Sequence, residues 1–239
     1  MADLPWWKEE AARSIQRKAA ALRVDHGVNP GDSFLIVTEG TVTEPFYFLR
    51  LRDEMKLSVV EIHIQPGDAS HPPHVISTAV RLAQERKAEM SKERENQSFS
   101  KTCFDHVWAV IDTDVAVRDN TWHKVKAAAA EGKVSLSSST PCFEYWLMLH
   151  LKYSTAPLID GTAAKAALKT AGFDCAAATS AAASMSGLIP HWPKAVKHAE
   201  RVRKHHFDGR TPDPTNPSTD VDLLLRALDD SLPAPRRKL

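Results

Sequence analysis

Acidic residues follow two short apolar segments of this 239-residue chain, and together they could bind a divalent cation. Glu39 follows the apolar run 34–37, and Asp112 and Asp114 follow the run 106–111. Both runs are typical of strands that are buried on both faces of a sheet. Ligands bind outside the carboxyl ends of the strands in an open parallel sheet, so we expect the three carboxylates to meet there. Such oxygen ligands suit Mg²⁺ or Mn²⁺, which also bind phosphate.

Four further residues are candidates for support of this acidic centre. Glu144 lies within the aromatic segment 143–147, where an acid must be paired or functional. Glu44 lies at the start of a predicted helix, where the helix dipole alone explains a carboxylate equally well. His150 could act as a general base, although a structural histidine is the favoured interpretation. Asp68 follows the second predicted strand, where an Asx-turn explains it as well as a site role does.

Strands alternate with helices from residue 33 to 151, which predicts an open, mainly parallel sheet of about four strands flanked by helices. The predicted strands are 34–37, 59–64, 106–111 and 134–137, and the predicted helices are 43–55, 74–98, 119–130, 143–150, 161–171, 192–205 and 219–230. We expect no strand after residue 156, and we expect loops at 174–191 and 208–218.

This pattern divides the chain into four parts. Residues 1–30 form an N-terminal helical arm and linker, 31–155 an α/β core, 156–232 a helical C-terminal region packed on the core, and 233–239 a basic tail without fixed structure. The arm contains Trp6 and Trp7, which could be buried against the sheet or form a partner-binding patch.

The composition excludes several classes of protein. Lys and Arg total 31 against 30 for Asp and Glu, so the net charge of +1 gives no global attraction to nucleic acid or to a membrane. Three separated cysteines without a CxxC pair argue against a disulfide framework or structural zinc, and favour a reducing cytoplasm. No apolar run is long enough to cross a membrane, and no Walker A loop for ATP hydrolysis is present.

One local patch is basic enough to contact phosphates, although a solvated helix end explains it as well. It comprises Arg201, Arg203, Lys204, His205, His206 and Arg210.

The order strand–Glu–Gly, then strand–Asp-x-Asp about seventy residues later, resembles the Toprim domain of topoisomerases, primases and OLD-type nucleases. Residues 38–48, TEGTVTEPFYF, are similar to the opening signature of the RloB family, and the resemblance continues from about residue 33 to 230. Further matches are Gly67-Asp68, Trp108 to Asp114, Ser139 to His150, and Asn216 to Thr219. Two positions depart from the pattern: Ala116 replaces the usual Toprim glycine, and Thr140 replaces the family's usual asparagine.

The resemblance implies Glu39 as the Toprim glutamate and Asp112 and Asp114 as the metal-binding pair, with Mg²⁺ or Mn²⁺ as the cofactor. It also implies a role in bacterial or archaeal antiviral defence, beside restriction–modification genes or with an ABC-type ATPase, as in abortive infection. We therefore expect a nuclease that hydrolyses DNA or RNA, with tRNA as one option and Glu144 as an orienting residue or base. The partner ATPase or a homodimer surface would contribute to nucleic-acid binding.

Two other functions remain open at this point. A non-catalytic Toprim-like subunit of a defence complex would use the sheet as a scaffold, and the missing glycine at Ala116 favours it. Nucleotidyl transfer or primase-like synthesis would use the same metal chemistry.

Overall fold

The computed structural model describes residues 32–57, 61–66, 71–95, 103–174 and 178–239. Three features predicted from the sequence lie outside these residues, so nothing is stated of their structure. They are the N-terminal arm, its pair Trp6 and Trp7, and the turn Gly67-Asp68.

The described residues contain one five-stranded sheet in the order β2-β1-β3-β4-β5. Its strands are β1 (Ser33–Thr38), β2 (Glu61–Pro66), β3 (His106–Asp112), β4 (Ser135–Thr140) and β5 (Ser218–Thr219). The first four strands are parallel, which confirms the predicted α/β class, and β5 is antiparallel to β4. The prediction of no strand after residue 156 was therefore wrong, because β5 has only two residues and too short a pattern to be recognised.

The winding of the chain reverses between β1 and β3. From β1 the chain passes to β2 on one side, and it then returns to β3 on the other side. In open α/β sheets the crevice at such a switch point is the usual ligand site. Thr38 pairs with Val110 and Asp112 pairs with Ser139, so β1, β3 and β4 end at one edge of the sheet.

Nine α-helices lie in the described part of the chain and cover both faces of the sheet. They are α1 (Thr43–Glu54), α2 (Pro72–Glu95), α3 (Asp114–Arg118), α4 (Trp122–Gly132), α5 (Phe143–Leu151), α6 (Gly161–Thr170), α7 (Ala178–Leu188), α8 (Trp192–Asp208) and α9 (Val221–Asp230). Short 3₁₀ turns follow at Ile189–His191 and Ala234–Arg236.

The predicted loop at 174–191 was wrong, because α7 and a 3₁₀ turn occupy most of it. Ala181, Met185 and Leu188 are buried at helical spacing, so this segment has an apolar face that packs on the core. Alanine also has the highest helix propensity. The alanine-rich composition of this segment therefore favours a helix.

The side chains of β1 alternate between two hydrophobic cores. Phe34 and Ile36 belong to a large core with residues from α1, α5, α7, α8 and α9, whereas Leu35 and Val37 belong to a smaller core with α2 and α4. Burial on both faces is the reason for the continuous apolar run in this strand. The helices that follow residue 156 thus share a core with the same face of the sheet as α1.

The C-terminal tail has a defined position, contrary to the expectation that it lacks fixed structure. Arg236 donates hydrogen bonds to the carbonyl groups of Met55, at 3.0 Å, and Lys56. The backbone N–H groups of Lys238 and Leu239 donate to the carboxylate of Asp229, which is 1% exposed. A buried carboxylate requires such donors, so the tail contributes to the fold.

No helix in the part of the chain that the structure describes combines the length and apolar character needed to cross a membrane.

Candidate metal centre

Glu39 and Asp112 are joined where β1 and β3 end. The backbone N–H of Glu39 bonds the carbonyl oxygen of Val110 at 3.0 Å, which extends the β1–β3 pairing one residue beyond the strand. The Glu39 side chain then accepts a 3.0 Å hydrogen bond at Oε2 from the backbone N–H of Asp112. Glu39 and Asp112, two of the three acids that the sequence predicted to meet, are therefore in contact through the Asp112 backbone.

Asp112 also contacts the start of helix α5. Its Oδ1 accepts a 2.8 Å hydrogen bond from the backbone N–H of Phe143, the first residue of that helix. The N-cap residue, Cys142, provides no side-chain cap, so Asp112 satisfies a donor that the helix leaves unpaired. The positive end of the helix dipole faces the carboxylate and favours its charged form.

Glu44 belongs to the same centre, although helix capping alone could explain it from the sequence. It lies in the first turn of α1, is 7% exposed, and accepts a 3.0 Å hydrogen bond at Oε1 from the backbone N–H of Gly40. A Cβ atom at Gly40 would lie 2.1 Å from Glu44 Oε2. Only glycine therefore allows this carboxylate to approach the loop after β1.

Glu144 is 5% exposed in the first turn of α5, and its cationic neighbour is Lys165 of α6. Lys165 Nζ lies 3.8 Å from Glu144 Oε1, and this carboxylate is the main cause of a raised Lys165 pKa. The Asp160 side chain caps α6 by accepting a 2.8 Å hydrogen bond from Ala163 N–H, which fixes the start of the helix that carries Lys165. Lys165 was missed in the sequence because an alanine-rich helix offers no motif.

Burial and mutual repulsion raise the pKa values of three carboxyl groups in this centre. Burial raises the pKa of Glu44 to about 7, with a further contribution from Glu144 and Glu39. Burial also raises the Asp112 pKa well above its usual range, and Glu44, Glu144 and Glu39 add to the shift. The Glu39 pKa is raised by burial, partly offset by the hydrogen bond from Asp112 N–H. The four side chains thus form one electrostatic unit.

Asp114 lies at the rim of this unit. It is exposed at the start of α3, where its Oδ1 accepts a 2.7 Å hydrogen bond from the backbone N–H of Val115. Its charge contributes to the raised pKa of Glu39, so the two groups are close enough to interact. Asp114 is therefore within electrostatic range of Glu39, and its side chain faces solvent.

The two departures from the family pattern do not alter any carboxylate. Ala116 is 1% exposed and packs in the smaller core, so its methyl group fills apolar space. The Thr140 hydroxyl lies 2.7 Å from the hydroxyl of Thr113, and this pair links the ends of β3 and β4.

The chemistry of these side chains fits Mg²⁺ or Mn²⁺, although their arrangement is not a closed cage. Among the described residues, no group of three or more His, Cys, Asp or Glu side chains is placed to hold a metal ion. Mg²⁺ usually binds through one or two carboxylates, several waters and substrate phosphates, so a closed cage is not required. A backbone N–H fixes one oxygen each of Glu39, Asp112 and Glu44, so these side chains are oriented before a cation binds.

His150 has the environment of a structural histidine, the interpretation favoured from the sequence. Its Nδ1 lies 3.1 Å from the carbonyl oxygen of Trp146, which can only accept, so Nδ1 carries the proton. Its Nε2, 3.1 Å away from Tyr47 Oη, then accepts from that hydroxyl. Burial lowers the His150 pKa to about 3. These contacts keep the imidazole neutral and occupy both of its nitrogens.

The residues of the predicted basic patch do not form one exposed surface, because several of them make contacts within the fold. Arg203 pairs with buried Asp222 and lies 3.7 Å from Asp220, which links α8 to the start of α9. The Arg201 guanidinium lies 4.2 Å from the centre of the Tyr153 ring. Lys204, His205 and Arg210 are exposed, whereas His206 donates a 2.8 Å hydrogen bond from Nε2 to the carbonyl group of Pro217. Arg203 thus supports the fold rather than forming an open phosphate contact.

The comparison with protein families agrees with the resemblance read from the motifs. A family model described as RloB-like protein matches residues 34–228, a range that includes every residue of the acidic centre and Lys165. No curated protein and no solved structure gives a significant match to the chain.

Proposed function

The chain belongs to the RloB-like family, and we propose that it is a metal-dependent nuclease that hydrolyses DNA or RNA in antiviral defence. One observation carries the proposal. Glu39 and Asp112 are joined by a hydrogen bond at the switch point of a parallel sheet, beside the buried carboxyl groups of Glu44 and Glu144. So many acids at a sheet edge destabilise one another unless a cation neutralises them.

Glu39 and Asp112 would hold Mg²⁺ or Mn²⁺, with Asp114 at the rim. When bound, the metal polarises a phosphate and makes water a stronger nucleophile. The backbone N–H groups of Asp112 and Phe143 fix the two carboxylates, so little reorientation is required when a cation arrives.

Two other residues provide proton transfer and charge in this proposal. Glu44, with a pKa of about 7, can accept or release a proton at Oε2 near neutral pH, because Oε1 accepts the Gly40 N–H. Glu144 orients Lys165, whose exposed ammonium group can contact a phosphate oxygen.

The charge of the chain supports the involvement of a partner in substrate binding. A net charge of +1 provides little general attraction to a polyanion, and Arg203 of the basic patch is already paired with acids. We propose that an ABC-type ATPase or a second copy of this chain completes the nucleic-acid surface.

A cleavage assay tests the proposed function. Plasmid DNA, single-stranded DNA and total tRNA are incubated with Mg²⁺ or Mn²⁺, with and without any ATPase encoded beside the gene. Wild type is compared with Glu39→Gln and Asp112→Asn, and with Glu131→Gln as a matched control, since Glu131 is an exposed acid on α4. We expect cleavage by wild type and by the control, and at least a 100-fold loss in both site variants.

Equal background in all four proteins, with the partner present, would refute the nuclease. The chain would then be better explained as a non-catalytic Toprim-like subunit. Extension of labelled nucleotides instead of cleavage would indicate nucleotidyl transfer. The substrate that is cut decides between DNA and RNA.

A further inference from the structure

A pocket of about 210 Å³ adjoins the acidic centre and shares Glu144 with it. Its wall consists of α6 and the residues just after that helix. The lining includes Glu144, Lys165, Leu168, Lys169 and Phe173. Pockets for whole drug-sized ligands measure about 300–1,000 Å³, so this one suits a smaller group such as a single planar base.

The two sides of the pocket differ in chemistry. Lys165 and Lys169 lie one turn apart on α6, and their side chains are 65% and 73% exposed. The apolar lining residues are Leu168, which is buried, and Phe173, whose ring is partly buried and supplies the accessible apolar surface. An aromatic ring in the same pocket as two exposed ammonium groups matches a nucleotide, which combines a stacking base with an anionic phosphate.

The position of Lys165 indicates how a nucleotide would be oriented in the pocket. The exposed ammonium group of Lys165 lies 3.8 Å from Glu144 of the acidic centre, and both residues line the pocket. Electrostatic interaction with Asp112 and Glu44 also contributes to the raised pKa of the Lys165 ammonium group. A phosphate on Lys165 would therefore lie beside the acidic centre, with its base directed toward Phe173.

We propose that this pocket binds one unstacked nucleotide of a single strand, next to the phosphate that is cut. Lys165 contacts the phosphate, and the base stacks on Phe173. A paired base in a duplex cannot enter a recess of this size, because both of its faces are covered by its neighbours. This inference rests on the proposed nuclease function and specifies its substrate as single-stranded nucleic acid, including loops and unpaired ends.

The Lys169–Asp174 ion pair is compatible with nucleotide entry. Lys169 Nζ lies 3.6 Å from Asp174 Oδ2, and both side chains are substantially exposed. Exposed pairs of this kind contribute only about 0–1 kcal/mol, so the pair can open at little cost.

Binding without turnover tests the pocket. The anisotropy of short fluorescent single-stranded DNA and RNA is measured in Ca²⁺ and, separately, in EDTA. The variants are Lys165→Ala, Lys165→Arg and Phe173→Leu. The matched control is Lys124→Ala, since Lys124 is an exposed lysine on α4, at the opposite face of the sheet. Phe173→Leu keeps an apolar side chain in the core and removes only the aromatic ring.

We expect Phe173→Leu to weaken single-strand binding by about 10-fold, in the range of one lost base-stacking contact. Lys165→Ala should weaken binding and reduce the slope of log K against log salt by about 0.7, the value for one single-strand phosphate contact. Lys165→Arg should restore the slope, and Lys124→Ala should resemble wild type. The affinity for a single strand with abasic positions should be the same in Phe173→Leu and in wild type, because no base is present to stack.

The outcomes separate this inference from the proposed function. If cleavage requires Asp112 but the Lys165 and Phe173 variants bind and cut single strands like wild type, the pocket inference is refuted and the nuclease stands. If wild type prefers a blunt duplex, the pocket inference is also refuted. If single-strand binding depends on Lys165 and Phe173 but no substrate is cut, the pocket stands and the nuclease is refuted.

Discussion

The Glu39 carboxylate accepts a 3.0 Å hydrogen bond from the backbone N–H of Asp112, a residue 73 positions later in the chain. This bond joins the Glu-Gly motif to the Asp-x-Asp motif at one point of the sheet edge. Since Asp112 is itself held by Phe143 N–H, the end of β1, the end of β3 and the start of α5 are linked in series. A change at any of the three is therefore transmitted to the acidic centre.

We predict that Mg²⁺ or Mn²⁺ stabilises the protein at pH 8. At a metal concentration about 100 times the Kd, the gain in unfolding free energy is about 2.7 kcal/mol. For a chain of this size, that gain raises Tm by about 5–10 °C. Asp112→Asn should abolish this gain and should also stabilise the metal-free protein, because it removes one of the repelling charges. Thermal unfolding in EDTA and in metal measures both effects.

Glu131→Gln is the control for this experiment, since it removes an acid of α4 far from the sheet edge. It should show the wild-type response to metal. An equal metal-dependent shift in Asp112→Asn would mean that the cation binds elsewhere.

The sequence is sufficient to predict that Glu39 and Asp112 meet, but not how they are held. Glu39 and Asp112 were recognisable because parallel strands end at a common edge, so strand order alone brings them together. The role of Glu44 was ambiguous, because a first-turn acid is favoured by the dipole on any helix. Its burial depends on the close approach at Gly40, which is a feature of three-dimensional packing.

Contacts that link distant helices escaped the sequence analysis for a similar reason. Lys165 carries no motif, and only the packing of α6 against α5 brings it to Glu144. The two-residue strand β5 has no periodicity of its own, and pairing with β4 defines it. Helix α7 was missed because its alanine-rich sequence has few large apolar residues to mark a helical period, whereas the burial of Met185 and Leu188 shows its apolar face.

Glu44 should make the metal-free protein less stable as pH rises. Its folded pKa of about 7 lies above the ordinary value of 4.5, so its stability contribution is intact below pH 4.5 and is lost as pH passes 7. This pKa shift corresponds to a loss of the order of 3 kcal/mol in the unfolding free energy between the two pH limits. Glu44→Gln should therefore become more stable than wild type as pH rises from 5 to 8. Urea unfolding in EDTA at both values measures the difference.

The unfolding free energy of the control variant Glu131→Gln should differ from that of wild type by the same amount at pH 5 and at pH 8. If the advantage of Glu44→Gln is constant with pH or declines toward pH 8, Glu44 titrates normally and the proposed electrostatic unit is wrong.

Gly40→Ala should displace the Glu44 carboxylate. The added Cβ would lie 2.1 Å from Oε2, so the side chain must move or the loop after β1 must shift. Overpacking of this kind costs about 1–3 kcal/mol. We expect a loss of stability and weaker metal binding, as measured by urea unfolding and metal titration. Glu44→Ala should relieve the clash, so the double variant Gly40→Ala/Glu44→Ala should be more stable than the sum of the single changes predicts. If the stability changes of the two single variants add strictly in the double variant, the contact between residue 40 and Glu44 is not the cause of the lost stability.

Tyr47→Phe should reduce stability without affecting cleavage. The change removes the hydroxyl that donates to Nε2 of His150 and leaves a buried acceptor unpaired, which costs about 1–3 kcal/mol. If His150 were instead a general base, the loss of its partner would alter the pH dependence of cleavage. Chemical unfolding and a pH–rate profile of the folded variant separate the two roles, and an unchanged profile with lower stability is the expected result.

Removal of residues 233–239 should destabilise the protein through Asp229. In the full chain the buried Asp229 carboxylate accepts hydrogen bonds from the backbone N–H groups of Lys238 and Leu239, and the truncation removes both donors. Loss of hydrogen bonds to a charged group costs about 1.5–3 kcal/mol each in typical proteins, although newly admitted water offsets part of this cost. Arg236, which joins the tail to Met55, is lost with it. The measurement is a double-mutant cycle of urea unfolding with Asp229→Ala. If the tail acts through Asp229, the truncation lowers the unfolding free energy much less in the Asp229→Ala background. An equal loss in both backgrounds would place its effect at the other tail contacts, such as those of Arg236 with Met55 and Lys238 with Glu54.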